Sequence, residues 1–366
     1  MPNQATRCGT DRPGAEPRSV TRRDVLNKAI ALGASTLVPA ALTGAVRAQG
    51  SGGGVTDTGT ARRGIMPGTW LVMLGTRGGP GIDPARAQTA CALVVDGRRY
   101  LVDCGYGAVR QLVAANVGYL QIDTVLFTHL HDDHTGDLAA LFSYQWTNGK
   151  TTPTDAYGPY GTVQLVEAVV SVLRINAEIR TVDEGRTVDV GRQFHGHDVP
   201  ASASPVPMFK DDRVTVTAVE NTHFPERSKA RMPYRSLALR ADTKERSIVF
   251  SGDTAYSRNI VALARGADLF VCEVIDPVIL DEMRKRAQAA AAAGHPNNIY
   301  RHVADTHSSP ADVGRMVSEA GVKTVVLNHQ VVGPSGALAP PVTAFIQGVR
   351  QLFSGEVIVA QDLMVL

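Results

Sequence analysis

Four cysteines in 366 residues, none in a short pair, leave two familiar uses of the thiol without support. Cys8, Cys91, Cys104 and Cys272 show neither the spacing of a zinc knuckle nor that of a dense disulfide framework. Cys91 and Cys104 fall in apolar, strand-like runs, where a buried free thiol is expected. Charge of one sign is also missing. The net charge is +2, so composition supplies no bulk attraction to nucleic acid, although local basic patches stay open. Long apolar runs are lacking too: the stretch 29–46 is broken by Gly33, Ser35, Thr36, Pro39, Thr43 and Gly44 and makes a poor membrane span. What is present is 44% hydrophobic and 20% charged residues, an ordinary globular balance that argues against disorder. The length suits one large domain or two smaller ones, either with a substantial core.

The first fifty residues read differently from the rest. Arg7, Arg12, Arg18, Arg22 and Arg23 make a basic leader ahead of the weakly apolar stretch, which ends in Val46-Arg47-Ala48, small residues at the two positions a signal peptidase reads. Thr21-Arg22-Arg23-Asp24-Val25-Leu26, followed by Lys28, resembles a twin-arginine export signal. A general secretory signal and an uncleaved anchor are the competing readings. Residues 1–48 are therefore expected to be a signal peptide that engages the twin-arginine export machinery, leaving no stable membrane span after processing. A periplasmic or secreted location follows. Residues 49–68, rich in Gly, Thr and Arg, read as a flexible linker.

From Thr69 onward strands and helices alternate. Residues 69–75 read as a strand ending in a Gly-rich turn, and 91–95 with 100–103 as a hairpin across Asp96-Gly97. Residues 109–115 and 162–174 have helical patterns; 124–128, 214–220, 237–241, 247–250 and 322–327 read as strands. Residues 69–366 are counted as one domain. An Ala-rich helix over 281–293 lies within extra sequence, 276–302, which suits either a lid or a homodimer contact; its periodicity does not choose.

The strongest signal is Thr128-His129-Leu130-His131-Asp132-Asp133-His134, directly after a strand. Three histidines and an acid within six residues offer imidazole and carboxylate donors suited to zinc. His129 and His131, two apart in an extended turn, can face one metal; Asp133 and His134 can turn to a second. Isolated histidines recur later, where more ligands would be needed.

This segment resembles the signature of the metallo-β-lactamase superfamily, and later motifs follow in that family's order. The resemblance implies an α/β (α+β) fold, a four-layer αββα sandwich, over essentially all of residues 69–366. Leu101-Val102-Asp103-Cys104-Gly105 places Asp103 behind the metal loop as a brace. Glu220-Asn221-Thr222-His223 would supply the third ligand of the first metal, Ser251-Gly252-Asp253-Thr254 the bridging carboxylate, and Leu327-Asn328-His329 the last ligand of the second. The implied metal ligands are thus His129, His131, Asp133, His134, His223, Asp253 and His329, around two Zn²⁺, with Mn²⁺ or Fe²⁺ as alternatives. Two such ions with Asp133, Asp253 and a bridging hydroxide leave about one net positive charge. That charge attracts an anionic ester, and the metals generate hydroxide near neutral pH as the nucleophile.

Within the superfamily, Asp253 stands where true zinc β-lactamases would carry Cys or Ser. The run Ala304-Asp305-Thr306-His307-Ser308-Ser309-Pro310, with Gly75-Thr76-Arg77-Gly78-Gly79-Pro80 and Cys272-Glu273-Val274, resembles the ribonuclease Z and arylsulfatase branch. By that resemblance His307 is a candidate general acid or oxyanion donor; the alternative is a mere neighbour of a helix cap, since Ser308 or Ser309 can cap a helix starting near Pro310. Glu273 would tune His307 or a ligand, or be an ordinary sheet-end carboxylate. Asp133, His307 and Glu273 are the residues expected to carry catalytic roles.

His223 and Asp253 are only about thirty residues apart, which leaves no room for a tRNA-binding arm between them. His295 and His302 read as surface residues rather than ligands, as do His195 and His197 in a loop before Pro200. Tyr144, Trp146, Phe224, Met232 and Tyr256 are candidate pocket walls, and Arg258 a candidate for a sulfate or phosphate oxygen. The expected activity is hydrolysis of a small-molecule anionic ester, an aryl sulfate or a phosphodiester. A lactonase, phosphotriesterase or β-lactamase-type reaction, a non-catalytic metal-binding module and an iron-dependent redox protein are the alternatives.

Overall fold

The computed structural model describes residues 67–295, 299–333 and 342–366, all within one compact unit, Asp57–Leu366. The expected leader with its export signal, Cys8 and most of the expected linker lie outside the described residues. Asp96 and Gly97 both take positive φ, 45° and 85°, the backbone that lets a two-residue turn join twisted antiparallel strands. The strands it joins belong to a first sheet built from β1 (Thr69–Gly75), β2 (Ala90–Val95), β3 (Arg98–Val102), β4 (Ile122–Leu126), β5 (Thr154–Pro159) and β6 (Phe194–Val199). A second sheet follows from β7 (Val206–Lys210), β8 (Val214–Glu220), β9 (Leu237–Thr243), β10 (Ser247–Phe250), β11 (Leu269–Ile275), β12 (Thr324–Val331) and β13 (Glu356–Val359). Finally β14 (Met364–Val365) returns to pair antiparallel with β1.

Helices α1 (Ala108–Ala114), α2 (Asp132–Thr135), α3 (Leu138–Thr147) and α4 (Thr162–Glu184) connect strands of the first sheet. Helices α5 (Glu226–Lys229), α6 (Arg258–Leu263), α7 (Pro277–Ala292), α8 (Ile299–Thr306), α9 (Pro310–Ala320) and α10 (Val342–Arg350) connect strands of the second. Alternation along β1 shows how the layers stack. Leu71 and Met73 enter the core between the sheets, while Val72 and Leu74 enter the core under α1, α3 and α4, as a period of two requires. The second sheet carries α6, α9 and α10 on its outer face through Ile260, Val313, Met316, Phe345 and Val349. Helices, sheet, sheet, helices is the four-layer αββα order expected from the motifs.

Three elements depart from expectation. Helix α4 runs ten residues past Arg174, to a left-handed Gly185 with φ of 68°. Its inner positions Val166, Val170, Leu173 and Ala177 keep their spacing, but Ile175, Ile179 and Val182 on the outside are 70%, 60% and 88% exposed, which blurs the amphipathic pattern. Helix α7 starts at Pro277 rather than Asp281, because Asp276 caps it by accepting from the Val278 N–H. His195 and His197 sit on β6 rather than in a loop, both within 3.4 Å of Asp155; they are surface groups nonetheless. No helix among the described residues is long and apolar enough to cross a membrane.

Candidate metal centre

The histidine-rich loop leaves β4 and is pinned from behind by Asp103. That carboxylate accepts the Thr128 N–H (2.8 Å), the Thr128 hydroxyl (2.9 Å) and His134 Nδ1–H (3.0 Å). Asp103 holds φ of 56° to do so, a strained backbone for a residue with a side chain. Its bond to Nδ1 leaves His134 Nε2 as the nitrogen available to a metal. Gly105 lets the loop pack closely, since a Cβ there would come within 2.2 Å of the Asp133 carbonyl.

Two donor sets form around this loop, both at the carboxyl ends of strands, where loops on a rigid sheet place functional groups. In the first, His129 Nε2 lies 3.1 Å and His223 Nε2 3.2 Å from His131 Nδ1. In the second, Asp133, His134, Asp253 and His329 converge: His329 Nε2 is 3.1 Å from both Asp133 Oδ2 and Asp253 Oδ1, and His134 Nε2 is 3.2 Å from Asp253 Oδ1. The other Asp253 oxygen faces the first set, 3.8 Å from His129 Nε2 and 4.0 Å from His223 Nε2. One carboxylate therefore spans both sets.

The donors fit a divalent metal. Four ligands at zinc distances stand roughly 3.4 Å from one another, which the observed separations bracket. His134 Nε2 and Asp253 Oδ1 face each other, both buried, and neither has a hydrogen-bond partner. A divalent cation held between them would satisfy both groups at once. Burial holds His129 and His223 well below the ordinary histidine value, so both present neutral lone pairs. Burial acts in the same direction on His134, but Asp253, Asp103 and Asp133 outweigh it and raise its pKa well above that value. For Asp133, burial would raise the carboxyl, yet His134 and His329 hold it below the usual range.

Beside the second set sits a buried pair. His307 Nδ1 lies 2.7 Å from Glu273 Oε2, while Glu273 Oε1 accepts the Thr254 N–H. Burial would lower the His307 pKa, but Glu273 raises it, to about 9. Glu273 is itself raised, first by burial. Ser308 donates to the Thr254 carbonyl (2.6 Å), and Ser309 caps α9 in a reciprocal box with Asp312. Capping and access to the site thus coexist on adjacent residues.

Residues 98–330 match the β-lactamase superfamily domain. The chain belongs to the β-lactamase superfamily. A curated relative, ribonuclease Z of Mycobacterium avium (strain 104), is 30% identical over 269 residues, which cover 71% of this chain and 85% of the relative. Among solved structures, human tRNase Z, short form (ELAC1), matches with a TM-score of 0.57 and 22% identity, covering 81% of this chain and 98% of that one. The metallo-β-lactamase fold protein YhfI from Bacillus subtilis matches with a TM-score of 0.56 and 18% identity, covering 81% and 98%. These two likenesses show the shared fold. Membership places the chain among metal-dependent hydrolases of the metallo-β-lactamase fold.

All seven residues expected as ligands in this superfamily member meet at the two donor sets, and Asp103, Glu273 and His307 stand next to them. The guessed pocket walls fare differently. Phe224 packs against His223, His131 and His129, with ring centroids 4.9, 5.4 and 6.1 Å away. Trp146 is instead core, its indole N–H bonded to the Val188 carbonyl. Tyr144 is exposed beside Tyr119, and Tyr256 bonds Glu319 with Arg315 over its ring. Arg258 starts α6, exposed, on the Tyr256–Glu319 side.

His302 requires a correction. It is not a surface residue: it is half-buried, its ring 5.2 Å from His223, 6.0 Å from His307 and 6.2 Å from His131. Its place on the inserted hairpin α7–α8, with nothing in local spacing to tie it to a ligand motif, hid it from the sequence. Gly78 and Gly79 are legible as a Gly-rich turn and as part of a branch motif, but not as contacts of the donor sets. Gly79 N–H donates to Asp133 Oδ2 (2.9 Å), and a Cβ on Gly78 would lie 2.6 Å from His329 Nδ1.

Proposed function

We propose that the chain is a binuclear, zinc-dependent hydrolase of small anionic esters, with phosphodiesters the leading class. The observation that carries this reading is the Asp253 carboxylate, one oxygen turned to each donor set. A relative named ribonuclease Z supports phosphodiester chemistry. The span from His223 to Asp253 supports a small substrate, because it holds only α5, β9, β10 and their joining turns. Two divalent ions bound there would polarise the ester and make water a competent nucleophile near neutral pH.

The chain's own residues supply the rest. His129, His131, Asp133, His134, His223, Asp253 and His329 hold the ions; Asp103 fixes the His134 tautomer. Glu273 orients His307 through Nδ1, which leaves Nε2 of a protonated ring to give a hydrogen bond, then a proton, to the departing oxygen. Phe224 shields the first set from water. A panel of bis(4-nitrophenyl) phosphate, 4-nitrophenyl sulfate, a γ-lactone and nitrocefin, run on zinc-loaded protein, tests the substrate class. Turnover of the phosphodiester is expected; turnover confined to the lactone or nitrocefin overturns the reading.

Export through the twin-arginine pathway is the companion proposal, supported by Arg22-Arg23 and the small residues before position 49. Fusion of residues 1–48 to a reporter, with Arg22 and Arg23 both changed to Lys in a parallel version, should show export only for the parent leader.

A further inference from the structure

We infer that His302, carried by the inserted hairpin α7–α8, is a substrate-contacting residue that donates a hydrogen bond to an ester oxygen held over the first donor set. This rests on the hydrolase reading above. The ring geometry separates such a role from that of a fourth metal ligand. Rings that share one metal stand at similar separations: His129–His131, His129–His223 and His131–His223 have centroids 4.8, 4.7 and 5.0 Å apart. A fourth imidazole closing that tetrahedron would keep the same spacing to all three. His302 stands farther out, 5.2 Å from His223 and 6.2 Å from His131. It is also 6.0 Å from His307. His302 and His307 therefore flank His223, each with its ring centroid 5.2 Å from it, and His302 stands one layer beyond the ligands, where a bound ester would pass.

Its chemistry fits that place. Among the described residues the His302 ring nitrogens accept or donate no hydrogen bond, the one bond at this residue being to its carbonyl; one ring nitrogen lies within 4.8 Å of ring nitrogens of His223 and His307, and the residue is half exposed. An imidazole always keeps at least one N–H, so the donor role does not depend on its protonation state. The helix that carries it is anchored: Asp305 bridges to Arg227 of α5 at 2.9 Å and to Arg301 at 3.6 Å. Arg227 follows His223 by four residues, so the third-ligand loop and the inserted helix are tied together. The His302 carbonyl accepts the Thr306 hydroxyl (2.7 Å), holding the last turn of α8 just before His307. The insertion thus serves the site as a wall with a donor on it.

The test uses the full chain, zinc-loaded, with His302→Ala and His302→Gln. Zinc content, melting temperature, kcat and KM for bis(4-nitrophenyl) phosphate, and calorimetric binding of inorganic phosphate are measured on each. His302→Ala should lower kcat/KM roughly 10- to 100-fold and weaken phosphate binding, with zinc content and melting temperature unchanged. His302→Gln, which keeps an N–H of similar reach, should recover at least part of both. Phosphate affinity and kcat/KM within twofold of the parent in His302→Ala overturn the inference. Loss of zinc in His302→Ala overturns it in favour of a ligand, and identical deficits in both variants overturn it in favour of packing. A parent chain that leaves the diester intact overturns the hydrolase reading instead, while the phosphate titration still decides His302.

Discussion

His307 illustrates what one residue's surroundings do to its chemistry. Burial alone would push the imidazole to its neutral form, yet Glu273 at 2.7 Å lifts the pKa to about 9. A group raised above its unfolded value stabilises the fold fully below that value, near 6.5; the contribution is lost as pH climbs through about 9. For activity the same shift keeps the acid protonated at neutral pH. The kcat profile should therefore fall on an alkaline limb near 9. In Glu273→Gln the largest raising contribution is lost and only Asp253 and Asp133 still oppose burial, so that limb should move to lower pH; a limb that stays put removes His307 as the acid. Asp253 acts on two donor sets at once. Asp253→Ala should bring zinc below one ion per chain by elemental analysis and lower turnover by more than about 100-fold. Activity within tenfold of the parent would count against a shared carboxylate.

At the scale of the element, the centre depends on close backbone approaches and caps. The loop after β1 touches the second donor set through Gly78 and Gly79. A methyl group at Gly78 would meet His329 Nδ1 at 2.6 Å and the His329 carbonyl at 2.7 Å, and His329 already holds φ of 39°. Gly78→Ala should therefore displace His329 and weaken metal binding at the second donor set, with binding at the first retained in a zinc titration. Ser309→Ala removes the capping box of α9 and should cost about 1 kcal/mol, seen as a melting temperature lower by roughly 2 to 4 °C. Strands at 69–75, 214–220 and 247–250 are legible in sequence because β-branched, apolar runs end at sharp turns. Helices α4 and α7 are less so: exposed Ile175, Ile179 and Val182 mask the face of one, and Pro277 at the start of the other reads as a break although it is a favourable first position.

Across the whole molecule, two sheets packed face to face bring together ligands that are up to two hundred residues apart, since His129 and His329 belong to different sheets. A metal bound at the donor sets would join those halves. Chelation should lower the melting temperature of the zinc-loaded chain by roughly 5 to 10 °C, from about 2.7 kcal/mol of linkage at a hundredfold excess over the dissociation constant. An unchanged melting curve in chelator would mean the donor sets hold no metal in the folded protein. The sequence by itself determined the ligand types, because a strand followed by His-x-His-x-Asp-His places donors through local backbone geometry that needs no distant partner. The order of layers came only with the resemblance of those motifs to the metallo-β-lactamase superfamily, not from the apolar periods. The resemblance implied a bridging role for Asp253; only the tertiary structure turned one of its oxygens to each donor set, chose between the readings of Glu273 by placing it on His307, and brought His302 from the expected surface to the site. Those are contacts across sheets and an inserted hairpin, set by how the layers pack, and no local pattern along the chain records them.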